Sequence, residues 1–206
     1  MKNNIKIFTS IMLIMILISC INVESFAYEQ EEDVYRGEGL HFKGNDDDGI
    51  SFIRRMRSVG DIIFEETDTS GAGSGIVTTE KAISTGENLI KKELVKYLTG
   101  SWAYANEYAW KEDNTATWTY GGGAEYSIAD KVRLSLGLSR SVTTSYGTEI
   151  KIPAESGKLS KLGFASDFFE QNYYYEFKVN GTVDKSYNGY TKTPTEDSYL
   201  FVYYKK

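Results

Sequence analysis

The sequence predicts a mainly β protein, an antiparallel sandwich or elongated sheet with a long amphipathic hairpin and one α-helix N-terminal to the sheet region. Residues 132–152 are the first reason. Val132, Leu134, Leu136, Leu138, Val142, Tyr146, Ile150 and Ile152 all take even positions, and every odd position between them is polar or glycine. A period of two gives an extended backbone one apolar and one wet face. The second reason is that residues 115–128 share this parity, with Ala116, Trp118, Tyr120, Ala124, Tyr126 and Ile128 opposing Thr115, Thr117, Thr119, Glu125 and Ser127. A loop of Ala129, Asp130 and Lys131 then sets Ile128 opposite Val132, Tyr126 opposite Leu134 and Trp118 opposite Val142, with the apolar residues on one face. The third is Asn180-Gly181, a type I′ turn signal between aromatic alternation at 173–179 and Thr182-Val183-Asp184.

At about 3.3 Å per residue, residues 132–152 extend roughly 65 Å. Either one very long strand runs there, or Gly137 and Gly147 divide it into pieces that bend or change sheets.

The chain begins with an export signature. Lys2 and Lys6 precede the apolar run 11–18, Asn22-Val23-Glu24 forms a polar spacer, and Ser25-Phe26-Ala27 places small residues where a signal peptidase reads. Cleavage after Ala27 leaves Tyr28 as the mature end and gives a secreted protein. The competing expectation is Leu17-Ile18-Ser19-Cys20, which resembles a lipobox and would anchor the protein to a membrane through a lipidated Cys20. The domain reading is therefore a signal peptide at 1–27, an acidic, partly disordered leader at 28–75, and a β domain with its helix at 76–206.

Cys20 is the single cysteine and His41 the single histidine of the 206 residues. A mature chain without thiols has no disulfide, zinc–thiolate site or cysteine nucleophile. With His41 assigned to the leader, a Ser–His or metal–His site has nothing to build on. The formal net charge of −6, concentrated before residue 100, argues against nucleic acid as a partner. Within the leader, the acidic run 46–48 before Gly49 fails the calcium-loop pattern, because Gly44 and Arg55 stand where oxygen ligands are required. The Gly-rich run 70–75 lacks the Lys-Ser/Thr of a phosphate-binding loop and reads as a flexible joint.

The helix is expected over 84–100. Ser84 and Glu87 have capping-box spacing, Leu89, Ile90, Leu94, Tyr97 and Leu98 form a stripe, and Gly100 sits at the C-terminal cap. Lys111-Glu112-Asp113-Asn114 marks a turn, Asn188-Gly189 a second one, and the run 199–204, apolar on both faces, an interior strand.

These features predict a non-enzymatic protein without cofactor or metal, acting through surface or cell-envelope interactions. Tyr174, on the opposite face from Tyr173 and Tyr175, is the candidate contact residue. The alternative is a β-pore-forming protein. Residues 115–152, followed by Pro153-Ala154, resemble the Ser/Thr-rich amphipathic region of aerolysin- and epsilon-toxin-type β-pore-forming proteins. That resemblance implies an elongated all-β fold, a soluble monomer that oligomerises, and a membrane hairpin carrying Trp118, Tyr126, Leu134, Leu136, Leu138 and Val142. The segment 139–167, with Ile152-Pro153-Ala154 and Leu159-Ser160-Lys161-Leu162-Gly163-Phe164-Ala165-Ser166-Asp167, is similar to small uncharacterised secreted β proteins of Gram-positive bacteria, a likeness that implies no activity.

Overall fold

A computed structural model describes residues 34–44, 56–69, 75–121 and 125–206. The unit Tyr35–Lys205 carries the elements, the first strand beginning one residue before it. In chain order they are β1 (Val34–Phe42), β2 (Ile62–Thr69), β3 (Val77–Tyr97), β4 (Ala103–Tyr104), β5 (Glu107–Trp110), β6 (Asn114–Thr117), β7 (Thr119–Gly121), α1 (Tyr126–Ser135), β8 (Ser141–Thr144), β9 (Ile150–Pro153), β10 (Leu159–Val179) and β11 (Thr182–Lys205). The main sheet has the order β1-β11-β10-β3-β2, with β4 added to β10 and β7 to β11, while β5-β9 and β6-β8 form separate two-stranded sheets. The mainly β, antiparallel expectation holds.

The long hairpin exists, but it is β10–β11. Asn180 and Gly181 have φ of 49° and 80°, the two positive values a type I′ turn demands, and they join Val179 directly to its partner Thr182. Both strands have neighbours on each edge, β3 beside β10 and β1 beside β11. Leu162 to Phe169 is accordingly buried without a break, as expected of a strand covered on both faces. The interior strand expected at 199–204 is the end of β11, and all six residues are buried. Asn188-Gly189 is not a turn. It lies within β11 opposite Tyr174 and Tyr173, where continuous pairing to β10 outweighs the local turn preference.

The helix expected over 84–100 is strand β3. Its capping pair and apolar stripe have helical spacing, but β3 is held between β2 and β10 over 77–83 and continues along β10 to Tyr97. The pairing with β10 shifts register at Phe164/Ala165, Ser166/Phe168 and Asn172/Tyr173. Each shift exchanges the faces of β3, so residues three or four apart reach a core from an extended chain. Ile90, Val95 and Leu98 pack on the cluster around Leu162 and Phe164. Ser84, read as an N-cap, instead donates its hydroxyl to Arg57 O at 2.7 Å and accepts from Gln171 Nε2 at 2.8 Å.

The helix is α1, inside the segment that predicted a hairpin. Ile128, Val132 and Leu136 are buried with Ala129, a spacing of four that serves a helix face as well as even-numbered strand positions. Gly137 at φ 63° ends it. Gly137 N–H donates to Leu134 O at 2.8 Å and Leu138 N–H to Arg133 O at 3.1 Å, the paired bonds of a Schellman cap. The pairings of Ile128 with Val132 and of Tyr126 with Leu134 are therefore absent. One fragment of the predicted hairpin survives in β6–β8, where Ala116 rather than Trp118 faces Val142. The parity is kept and the register differs by two residues. β9 turns away to pair with β5, Tyr108 opposite Ile152.

β1 and β2 arise within 28–75, whose acidity and turn residues predict a leader, and both belong to the main sheet. β1 docks on β11 through glycine: a Cβ on Gly39 would stand 2.2 Å from Leu200 O. Tyr35 stacks on Tyr204, centroids 5.3 Å apart, and Phe42 meets Tyr146 at 4.9 Å. One core cluster joins α1 to Ile63, Phe64, Ala82, Phe169, Tyr173 and Tyr175. The other lies along Leu162, Phe164, Phe168, Leu200 and Val202, covered by Ala116, Tyr146 and Ile152.

Candidate functional site

Ala27, Tyr28 and Cys20, the residues expected to decide cleavage or lipidation, lie outside the described residues, as do the acidic run 46–48 and most of the Gly-rich run 70–75. His41, assigned to the leader by sequence, is on β1. Its Nε2 is 2.9 Å from Asp197 Oδ1 and its ring lies 4.5 Å from that of Tyr199 at 10°.

The six residues expected on one face of a membrane hairpin divide four ways. Leu136 and Leu138 are core, each 4% exposed. Leu134, which a strand would place beside them, points outward from α1 and is 61% exposed. Val142 is half-buried opposite Ala116. Trp118 and Tyr126 are brought together, and with Tyr120 they form the aromatic corner that is the best candidate site.

Trp118 follows β6, its N–H donating to Arg140 O at 2.7 Å. Tyr120 is fixed by β7, opposite Thr191 of β11, and Tyr126 opens α1. The Trp118 centroid lies 6.1 Å from Tyr120 and 5.1 Å from Tyr126, and the two tyrosine rings stand 5.2 Å apart at 86°. Trp118 is 7% exposed, whereas Tyr120 and Tyr126 are 42% and 47% exposed. Gly121 lets Tyr190 close the side of the corner, since a Cβ there would lie 2.3 Å from the Tyr190 hydroxyl.

A cation supports the corner from inside. The Arg133 guanidinium carbon is 5.5 Å from the Trp118 ring centre. That arginine is only 6% exposed, and its charge is met by Asp130 Oδ1, which accepts from Nε at 3.0 Å and Nη2 at 2.7 Å, and by Leu138 O at 2.7 Å from Nη1. A buried guanidinium with planar, multiple acceptors holds its position well. A second arginine, Arg140, donates from Nη2 to the Tyr126 hydroxyl at 2.8 Å. The result is two half-exposed rings at a right angle, each with a phenolic oxygen, on a rigid buried base. Such a surface offers apolar area and polar tips together, which suits a ligand with apolar faces and hydroxyl edges.

Tyr174 is half-buried in β10, in register with Ile83 and Asn188, and takes no part in the corner. Sequence reasoning missed the role of Tyr120 and the supporting Asp130–Arg133 pair. The pair's spacing of three was a readable signal once 126–135 is taken as helix. Among the described residues, no group of three or more His, Cys, Asp or Glu is placed to hold a metal, and no helix is long and apolar enough to cross a membrane.

No family model and no curated protein matches the chain. Among solved structures it is similar to the crystal structure of the parasporin-2 Bacillus thuringiensis toxin that recognizes cancer cells, at 9% identity over 82% of this chain and 94% of that one. The TM-score is 0.20, too low for the likeness to assign fold or activity.

Proposed function

We propose that the chain is an exported, non-enzymatic protein that binds a cell-envelope or surface component through the Trp118–Tyr120–Tyr126 corner. The observation that carries this reading is the pair of half-exposed tyrosine rings at 86° above a buried tryptophan. Large aromatic side chains left half-exposed above a buried Trp118–Arg133 base serve recognition better than packing. The test is co-sedimentation of the purified protein with isolated bacterial cell envelopes. Tyr120→Ala/Tyr126→Ala should lose about tenfold or more in affinity, the size expected for two aromatic contacts, with an unchanged far-UV spectrum. Equal binding by that variant would exclude the corner, and sugar release during the incubation would make the protein a hydrolase.

A specific observation keeps a second reading, the pore former. Of the strands within residues 115–152, only β7 pairs with the main sheet, whereas β6 and β8 pair with each other and β9 with β5. The segment can therefore leave without dismantling the order β1-β11-β10-β3-β2. Dye release from liposomes that Leu134→Asp abolishes would establish this reading, because Leu134 is exposed on α1 but would share the lipid face of an inserted strand. No release would leave the binding role.

A further inference from the structure

Alternate residues of β11 make two unlike faces. Leu200 and Val202 enter the core, while Tyr199, Phe201 and Tyr203 look the other way. On that side an unbroken row of rings runs His41, Tyr199, Phe201, Tyr203, Tyr97, Trp102, with successive centroids 4.5, 5.3, 6.4, 5.6 and 5.8 Å apart. Glycines on both neighbouring strands let the rings lie down. A Cβ on Gly39 would stand 2.3 Å from Phe201 Cδ1, and one on Gly163 would stand 2.6 Å from Tyr203 Cε2.

Three cations lie over this row. The Arg36 guanidinium carbon is 4.7 Å from the Phe201 centroid, Lys92 Nζ is 5.4 Å from Tyr199 and 5.8 Å from Phe201, and Lys161 Nζ is 4.9 Å from Tyr97 and 5.0 Å from Trp102. All are within cation–π range. Among the described residues none of the three forms an ion pair. Several other lysines are neutralised: Lys81 pairs with Glu65, Lys131 with Glu80, Lys151 with Glu107 and Lys178 with Glu176. In a chain of net charge −6, this strip sets three cations without carboxylate partners along one row of rings.

The arrangement is built. Lys92 has φ 58°, a left-handed conformation that strains a side-chain-bearing residue. It sits in the register shift between Ile90 and Glu93. Buried Asp167 holds it there, accepting from Lys92 N–H at 2.7 Å through Oδ1 and from the Tyr199 hydroxyl at 3.3 Å through Oδ2. Arg36 Nη1 donates to Lys92 O at 3.3 Å, which ties the first two cations together. A second carboxylate, Asp197, is engaged with His41.

We propose that the strip binds an extended anionic polysaccharide, whose repeated carboxylate or sulfate groups pair with Arg36, Lys92 and Lys161. The charge and the linear order of the cations both point to a chain-like anion. The rings themselves are spent: Tyr199, Phe201 and Tyr203 are 5%, 8% and 7% exposed. They therefore offer no open faces for stacking nucleic-acid bases and no protruding apolar groups for entering a bilayer. Acidic regions of the chain beyond about 8 Å are screened at physiological salt, so the local charge governs.

The test uses heparin as a sulfated and carboxylated probe, hyaluronan as a carboxylated one and dextran as the neutral control. Binding to the purified protein is measured by fluorescence anisotropy across a salt series. Heparin or hyaluronan should bind with an affinity that falls as salt rises, and dextran should not bind. Arg36→Gln/Lys92→Gly/Lys161→Gln should weaken binding about tenfold or more, and Lys151→Gln should leave it unchanged. Lys92→Gly alone keeps the left-handed backbone and relieves its strain, so a loss of affinity with no fall in melting temperature isolates the charge. Unaltered binding by Lys92→Gly and the triple variant, or no binding to either anionic polymer, would overturn the proposal. So would tighter binding to homopolymeric RNA or to phosphatidylglycerol vesicles at the same ionic strength.

Discussion

Two stretches of this chain alternate apolar and polar residues over long distances, and they fold in opposite ways. Residues 159–205 make an uninterrupted hairpin of β10 and β11. Residues 115–152, with the cleaner alternation, break into four short strands, two before and two after a ten-residue helix. The difference lies at the turn and at the edges. The first has Asn180-Gly181, which accepts two positive φ values, and a neighbouring strand along each side. The second has Ala129, Asp130 and Lys131 at its expected turn, without the glycine that a three-residue hairpin loop favours at its left-handed position. Its first strand also has little sheet to extend, since β6 and β7 pair over only four and three residues. Alternation permits a strand, while turn chemistry and partners decide whether a long one forms.

The largest effect should come from two leucines that a hairpin would treat alike. Leu136→Ala should cost about 2–5 kcal/mol, as a buried truncation does, whereas Leu134→Ala should stay within about 0.5 kcal/mol. Urea unfolding midpoints measure both, and equal costs would restore the hairpin register in place of α1.

Next in size is the support under the aromatic corner. Asp130→Ala removes the carboxylate that meets buried Arg133 and should cost about 2–3 kcal/mol. Arg133→Met in the same chain should recover part of that loss, because the charge left without its partner is then gone. Thermal unfolding of the single and double variants reads the difference; no recovery would mean that Arg133 acts through packing on Trp118 alone.

The smallest effect is alkaline and compares the two stretches directly. Burial pushes Tyr146 in the short-stranded part, and Tyr175 and Tyr203 in the long hairpin, up to about 12, against about 10 in an unfolded chain. The unfolded state releases these protons first, so their stabilisation is complete below pH 10 and is lost as pH rises from 10 towards 12. Absorbance at 295 nm should show these three tyrosines ionising late, together with unfolding. Titration of Tyr146 alone at an ordinary pH, seen as its loss in Tyr146→Phe, would show that the short-stranded part opens independently.

The candidate site was half legible. Trp118 and Tyr126 stood out as large even-numbered aromatics, but a hairpin face was the wrong reason to join them. They meet because β6, β7 and the start of α1 converge, and because Arg133 fills the space beneath. The cationic strip was hidden for a related reason. Arg36, Lys92 and Lys161 are 56 and 69 residues apart in the chain, and a negative total charge conceals a local positive patch that only strand order assembles.

By itself the sequence determined the β class, the Asn180-Gly181 turn and the interior character of 199–204, because each rests on local stereochemistry or on a run too apolar to face water. Tertiary structure decided the rest. It made a strand of 84–97, within the helix-patterned 84–100, by pairing it along β10, where register shifts turned its spacing inward. It made a helix of 126–135 because spacing by four suits either backbone and the neighbouring core accepts Ile128, Val132 and Leu136 from a helix. Periodicity states which side chains seek cover; the partners available in space determine which backbone supplies it.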